Sequence, residues 1–361
     1  MIHGAMVFML CFMQLVGFFT FFRGIYLCSA PPQLKVFVAF LIEIGVFNQP
    51  FMLFYCKYFP TWLCLIFGFA GISFVYLTTS TVLMELLRLC RLKNDKVYYF
   101  LAALSIILAL TAYIRSFSQP DIQNIIITSN QLKKDCRIVQ LSDIHAGPVI
   151  KKDWVEKVVK KVNEINPDLV VITGDSMDSF VENGLDNLTP FKNFKSPVYM
   201  ILGNHEYYCN APLWIDAFKK MGIKILQNNH VIIDDNFALG GADWVHNYKN
   251  DSDHLIARTF NGSPENMPKI LLSHYPKSFL ESKEEGVLLQ LSGHTHGGMT
   301  FPVNFFVSKA NGGYLRGLYK EQNKKGEYSY LYVNDGTALW AGMPARLGSS
   351  NEITIIDLKH E

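Results

Sequence analysis

The sequence predicts an α/β fold, two packed sheets with helices outside, preceded by an all-helical membrane domain. Three observations carry this. Half of the 361 residues are apolar, and that richness is concentrated before about residue 115. Beyond that point come many short apolar runs with few helical stretches between them, the pattern of a sandwich of sheets. Five of these runs end in a similar way, with Asp, Asn or His and in most cases a glycine beside them.

Four segments of the first third are long and apolar enough to cross a bilayer, which takes ~20 residues. They are residues 4–22, 36–55, 61–83 and 97–114. The first is not read as a signal peptide, because it lacks a basic start and a small-residue cleavage site and three similar segments follow it. The second is interrupted by Glu43, Asn48 and Pro50. Glu43 is either an intramembrane functional carboxylate or a residue satisfied by a partner or facing the interface. The expected division is a transmembrane domain of about four spans over residues 1–117 and a second domain over 118–361. Arg23, Lys35, Arg88, Arg91, Lys93 and Lys96 lie in the first and third connections, against Lys57 and Arg115 on the other side. Basic loops face the cytoplasm, so the second domain is expected outside it, on a multi-pass cell-membrane protein.

The net charge of +2 gives no bulk attraction for nucleic acid or for an acidic partner. Cys11, Cys28, Cys56, Cys64 and Cys90 lie in or beside the apolar segments, and Cys136 and Cys209 fall in the second domain. Their spacing is neither a disulfide framework nor a zinc finger, and a Cys136–Cys209 bridge stays open.

In the second domain, residues 122–128 and 136–141 read as a hairpin or paired strands, with Asn130 and Gln131 between them. Residues 152–166 have helical spacing, with Trp154, Val155, Val158, Val159, Val162 and Ile165 on one face, Asp153 as N-cap and Pro167 as stop. The strand 169–173 completes a βαβ pattern. Then follow a strand at 198–202 and a helix at 212–221, with Leu213, Trp214, Ala217, Phe218 and Met221 inward. Strands are expected at 223–226, 231–233, 237–240, 269–272, 287–291, 328–333 and 352–358.

The five marked strand ends are Asp143-Ile-His145, Gly174-Asp175-Ser-Met-Asp178, Gly203-Asn204-His205-Glu206, Ser273-His274 and Gly293-His294-Thr-His296. Each alone is weak, since a lone Asp-x-His or Gly-Asp is usually structural. Together Asp143, Asp175 and Asn204 offer oxygen, and His145, His274, His294 and His296 offer imidazole nitrogen. Such mixed donors suit Mn, Fe, Zn or Co, and seven are too many for one ion. Two divalent ions sharing a carboxylate would use them all. His3, His230, His246, His254 and His360 lack such settings and read as ordinary.

These motifs in this order resemble the calcineurin-like metallophosphoesterase superfamily, over about residues 136–358. Gly297-Gly298 and the membrane-anchored layout resemble its bacterial branch of uncharacterised membrane metallophosphoesterases and UDP-diacylglucosamine hydrolases. The resemblance implies a four-layer α/β/β/α sandwich. It implies one metal held by Asp143, His145 and His296, and a second by Asn204, His274 and His294, with Asp175 bridging. His205, oriented by Asp178, would be catalytic and not a ligand. It would donate to a phosphoryl oxygen or the leaving group while a metal-bridging hydroxide attacks phosphorus. The implied activity is hydrolysis of a phosphomonoester, phosphodiester or pyrophosphate. Met299 stands where this branch often has Gln, and Ser179 where protein phosphatases of the superfamily have Arg, which weakens a phosphoprotein reading.

The expected partners are a phosphoester substrate, lipid-linked in one reading, and membrane lipids, with no nucleic acid implied. Two alternatives are a UDP-2,3-diacylglucosamine pyrophosphatase with a cytoplasm-facing site and a non-catalytic binding module. Phe301, Phe305 and Phe306 lie just after the last motif, and a segment feeding the core is expected there in preference to a groove for a lipid chain. Tyr314, Arg316 and Arg346 are the nearest candidates for phosphate contacts, although a packing or surface role is expected for each. Glu206 has no assigned role beyond turn or local packing.

Overall fold

A computed structural model describes residues 2–26, 31–54, 60–91, 94–243 and 255–361. Cys28, Cys56, Lys57, Lys93, His246 and His254 lie outside the described residues, as does the side chain of His3. The chain forms two compact units, Met1–Phe117 with Trp340–Leu347, and Ser118–Leu339 with Gly348–Glu361.

Among the described residues, the first unit holds four α-helices: α1 (Ile2–Phe21), α2 (Pro32–Phe54), α3 (Thr61–Leu89) and α4 (Asp95–Ser116). Among the described residues, two helices are long and apolar enough to cross a membrane, Thr61–Leu89 and Tyr99–Ser116. The polar residues inside α2 dilute its apolar character, although the helix runs on past them. Asn48 is buried in this unit, where its Nδ2 donates to Gly342 O at 2.7 Å. A Cβ at Gly71 would fall 2.4 Å from that Nδ2, so glycine admits the amide. Glu43 is exposed and accepts from Gln14 at 3.2 Å. Glu85 holds both Arg23 and Arg88.

The second unit contains β1 (Asp121–Ser129), β2 (Cys136–Leu141), α5 (Lys152–Ile165), β3 (Leu169–Ile172), α6 (Val181–Leu188), β4 (Val198–Met200), α7 (Asn204–Tyr208) and α8 (Ala211–Lys220). After these come β5 (Lys224–Ile225), β6 (Asn229–Ile233), β7 (Phe237–Gly241), β8 (Lys269–Leu272), β9 (Val287–Ser292), β10 (Gly317–Gln322), β11 (Tyr328–Val333) and β12 (Glu352–His360). They build two six-stranded sheets, ordered β1-β12-β2-β3-β4-β5 and β10-β11-β9-β8-β7-β6.

One apolar core lies between the sheets. Ile138, Leu169, Val171 and Ile356 of the first sheet meet Leu239, Ile270, Leu272, Leu289 and Leu291 of the second. Because strand side chains alternate, the neighbours of these residues face outward. Ala238, Leu271 and Val287 accordingly pack against Leu255, Ile256 and Phe260, on and beside the short helix Leu255–Thr259. On α5, Val155, Val158, Val159 and Val162 form the buried stripe.

Four expectations change. β1 and β2 are not a hairpin, because β12 runs between them, parallel to β1 and antiparallel to β2. Lys151, not Asp153, precedes α5, and Asn166 closes it in a left-handed conformation. Leu213 on α8 is exposed, while Trp214, Ala217 and Phe218 are buried. Cys136 and Cys209 are both buried and are not joined by a disulfide.

Candidate metal centre

The sheet topology brings the five motifs together. β2, β3 and β4 run parallel to one another, and so do β7, β8 and β9. Loops after parallel strands emerge at one edge, where α/β proteins build their sites. Asp143 follows β2, Asp175 follows β3, Asn204 follows β4, His274 follows β8, and His294 and His296 follow β9.

Backbone bonds tie these loops. The N–H groups of Asp143 and His145 donate to Gly174 O and Asp175 O, each at 3.0 Å, and that of Gly293 donates to His274 O at 3.1 Å. Asp143, His145, Asp175, His294 and His296 all have positive φ, between 49° and 72°. Non-glycine residues adopt this region at a cost, and it clusters at functional sites. Two glycines are needed for close approach. A Cβ at Gly203 would fall 2.2 Å from Asp175 Oδ1, and one at Gly293 would fall 2.2 Å from Asp143 Oδ2. Gly203 has φ of −102°, so its role is to make room for the carboxylate and not to permit a left-handed turn.

The donor atoms converge in three overlapping groups, each with its atoms within 4.8 Å of one another. They are Asp143, His145 and His296; Asp175, His274 and His294; and His145, Asp175 and His205. Asn204 is buried beside them and its Oδ1 accepts from Tyr275 Oη at 3.3 Å. Tyr275 also sits against His294, ring centroids 4.2 Å apart. His274 Nδ1 is bound to Thr173 O at 2.7 Å. Its Nε2 lies 3.2 Å from Asp175 Oδ2, yet it is buried with no hydrogen-bond partner among the described residues.

Asp178 does more than expected. Its Oδ1 lies 2.7 Å from His205 Nδ1 and equally 2.7 Å from His145 Nδ1. Burial works against this carboxylate's ionisation, but the two imidazoles outweigh it and lower its pKa. An ionised carboxylate only accepts, so both histidines donate from Nδ1. The Nε2 of His145 faces His296 Nε2 at 3.0 Å. Two imidazole nitrogens this close need a cation or a proton between them. Burial, then the charge on His274, lowers His294 to about 3, while Asp175 outweighs burial at His274 and raises it to about 10. The ion pairs of Asp143, Asp175 and Asp178 among the described residues are all with histidine. Buried carboxylates facing imidazole lone pairs, with an orphaned ring nitrogen among them, are the donor set that divalent cations satisfy.

His205 is buried, with Nε2 3.9 Å from Asp175 Oδ2. Burial alone would lower its pKa, but Asp175 and then Asp178 push it up to about 9. Divalent ions in the same cage act in the opposite direction.

Glu206, expected only in the turn or in local packing, joins two loops. Its fully buried carboxylate accepts the backbone N–H groups of Asp175 at 3.0 Å, Ser176 at 2.7 Å and Gly203 at 2.7 Å. It therefore clamps the loop after β3 to the loop after β4. The available signal was its position three residues into a helix begun at Gly203, where a carboxylate reaches back to free N–H groups. Tyr275 was missed, although it adjoins His274.

The remaining candidates fall elsewhere. Tyr314 is buried against Phe279, and its hydroxyl donates to Glu321 at 2.8 Å. Arg346 is buried within the helical unit. Arg316 is half-exposed, 4.0 Å from Asp335, whose carboxylate lies against Gly297. Ser179 is buried, and a Cβ at Gly184 would already fall 2.9 Å from its own Cβ, which leaves no room for arginine. Met299 is buried with φ of 57° and ψ of −65°. Phe301, Phe305 and Phe306 are exposed, so they do not feed the core.

The family model of calcineurin-like phosphoesterases matches residues 136–298. An uncharacterised metallophosphoesterase of Helicobacter pylori is 32% identical over 68% of this chain and 66% of its own length. A transmembrane protein with metallophosphoesterase domain from Danio rerio is 32% identical over 70% of this chain and 60% of its own length. The match thus spans less than two thirds of both relatives. An uncharacterised metallophosphoesterase of Aquifex aeolicus is 32% identical over 62% of this chain and 85% of its own length.

Proposed function

Because this chain belongs to the calcineurin-like phosphoesterase family, we propose that it is a membrane-anchored, metal-dependent hydrolase of phosphoester or pyrophosphate bonds. Asp143, His145, Asp175 and His296 would hold one divalent cation, and Asp175, Asn204, His274 and His294 the other. The observation that carries this reading is a set of three buried ring nitrogens, His145 Nε2 facing His296 Nε2 at 3.0 Å and His274 Nε2 left without a hydrogen bond among the described residues. Two such cations would supply an activated water and neutralise charge on the phosphoryl oxygens.

The protein's own groups do the rest. Asp178 accepts from Nδ1 of both His145 and His205 and so turns both Nε2 atoms inward. His205 would donate from Nε2 to the leaving oxygen and stabilise negative charge as it builds there. Glu206 holds the Asp175 and Gly203 loops in register. The intact donor set weighs against a non-catalytic binding module.

Anchoring is read from α3 and α4, which have the length and composition of spans. On α4, Phe100, Ile107 and Ile114 are exposed, as a lipid-facing helix requires. The other two apolar helices complete a four-span domain, and the basic first and third connections put the catalytic domain outside the cytoplasm. A membrane setting favours a lipid-linked phosphodiester or pyrophosphate.

The test is hydrolysis by the purified full-length protein with Mn added, against p-nitrophenyl phosphate, bis-p-nitrophenyl phosphate and UDP-linked lipids. Metal-dependent turnover of at least one class is expected. Loaded protein that hydrolyses none of them overturns the enzymatic reading, and turnover of UDP-lipids alone would favour a cytoplasm-facing pyrophosphatase.

A further inference from the structure

Phe301, Phe305 and Phe306 are each 65% exposed, on and beside the helix Val303–Ala310, which has no buried residue. This segment is joined firmly to the loop that carries His296. Asn304 N–H donates to Thr300 O at 2.9 Å, and a Cβ at Gly298 would fall 2.6 Å from Asn304 Cβ. Phe305 and Phe306 pack edge to face, 5.7 Å between centroids, and form one aromatic face.

The helix itself carries exposed Lys309 in its last turn and no acidic residue, while Arg316 beyond it is paired with Asp335. The turn after the helix packs beside Lys277 and Leu280, which lie 3.4 and 3.6 Å from a Cβ at Gly312. Two bare phenylalanines on one short helix, with a third just before it, are apolar exposure of a kind that a soluble surface avoids. A cationic edge on such a patch suits a bilayer interface, where aromatic side chains enter the acyl boundary and lysines meet anionic headgroups.

We propose that the helix Val303–Ala310 inserts its phenylalanine face into the surface of an anionic lipid bilayer. The inference rests on the reading of α3 and α4 as membrane spans. Residues 117–120 alone separate α4 from β1, so covalent connection keeps a bilayer within reach. Insertion would hold the His296 loop at the lipid surface and present it to phosphoesters carried on lipid.

The experiment uses the full-length protein in nanodiscs of phosphatidylcholine and phosphatidylglycerol with brominated acyl chains. Phe306→Trp adds a reporter on the helix, and Phe100→Trp adds one on α4. Quenching of both added emissions, relative to unbrominated lipid, is expected. Phe305→Asp in the Phe306→Trp background should abolish the quenching at 306 and leave that at 100. Quenching at 100 without quenching at 306 overturns the insertion alone. Absence at both positions overturns the membrane reading as well. Cross-linking between Phe306→Cys copies, with no quenching at 306, would instead identify a second copy as the occupant and overturn the lipid assignment.

Discussion

Asp178 Oδ1 lies 2.7 Å from His205 Nδ1, and the same oxygen also serves His145. One carboxylate thus orients a proposed catalytic histidine and a proposed metal ligand. The two roles separate by mutation. His205→Asn should retain metal and lose roughly 10²–10⁴-fold in turnover, the usual contribution of a positioned acid. Asp178→Asn should lose activity and also weaken metal binding by about 10–100-fold, as expected when the partner of a ligating histidine is removed. Metal content by mass spectrometry, measured beside turnover, distinguishes the two. Full metal in Asp178→Asn would show that His145 does not depend on it.

Glu206 collects three backbone N–H groups on a fully buried carboxylate. Glutamine has one carbonyl oxygen, so Glu206→Gln turns its NH2 toward a backbone donor. An unsatisfied buried group costs about 1–3 kcal/mol, and Glu206→Ala, which abandons all three donors, should cost more. Thermal unfolding of the purified protein should rank wild type above Gln and Gln above Ala. Equal stability of all three would mean that the loops hold themselves.

Much of this site was legible because the chemistry and the strand ends coincide in sequence. Each ligand motif follows an apolar run, and parallel strands deliver such ends to one edge. The pairing of strands was less legible. β12 separates β1 from β2, a contact between residues more than 200 apart, whereas sequence patterns report on neighbours. β10 was missed because its burial merely alternates between partial and exposed. Glu206 was expected only in the turn or local packing, because two of its three partners belong to the loop after β3, about 30 residues away in sequence. The phenylalanines at 301, 305 and 306 were misplaced in the core because apolar composition alone does not distinguish a core from an exposed face.

Glu352 gives a pH dependence away from the proposed ligands. Burial, then Asp335, raises its carboxyl to about 7, against the hydrogen bonds from Thr354 and Tyr332. An acid raised in the folded state binds its proton more tightly there than when unfolded. Its contribution is therefore fully present below about pH 4.5 and is lost as pH rises to about 7, by on the order of 3 kcal/mol. Glu352→Gln should remove this component. The difference between wild-type and Gln melting temperatures, followed from pH 4.5 to 8, should change across that window and level off above it. A difference that does not vary with pH would show that the group titrates normally.

The side of the membrane is open to a direct reading. With the basic connections in the cytoplasm, alkaline phosphatase fused at the C-terminus should be active and a green fluorescent protein fusion at the same site dark. The reverse pattern would invert the domain and favour a nucleotide-linked substrate.

Gly203 and Gly222 separate crowding from backbone strain. Gly203 has a φ open to any residue, but an added Cβ would fall 2.2 Å from Asp175 Oδ1 and 2.6 Å from Asp175 N. Backbone atoms cannot move aside cheaply, so Gly203→Ala should displace the proposed bridging carboxylate and reduce bound metal together with stability. Gly222 closes α8 at φ of 85° with nothing within 4 Å of an added Cβ. Gly222→Ala should therefore cost only about 1 kcal/mol, the penalty of a left-handed alanine, and leave metal binding unchanged. Metal content and melting temperature should thus fall together in Gly203→Ala, whereas in Gly222→Ala the melting temperature alone should fall, and only slightly. If Gly203→Ala binds metal as the wild type does, Asp175 tolerates displacement and the close approach of these two loops is not what sets the site.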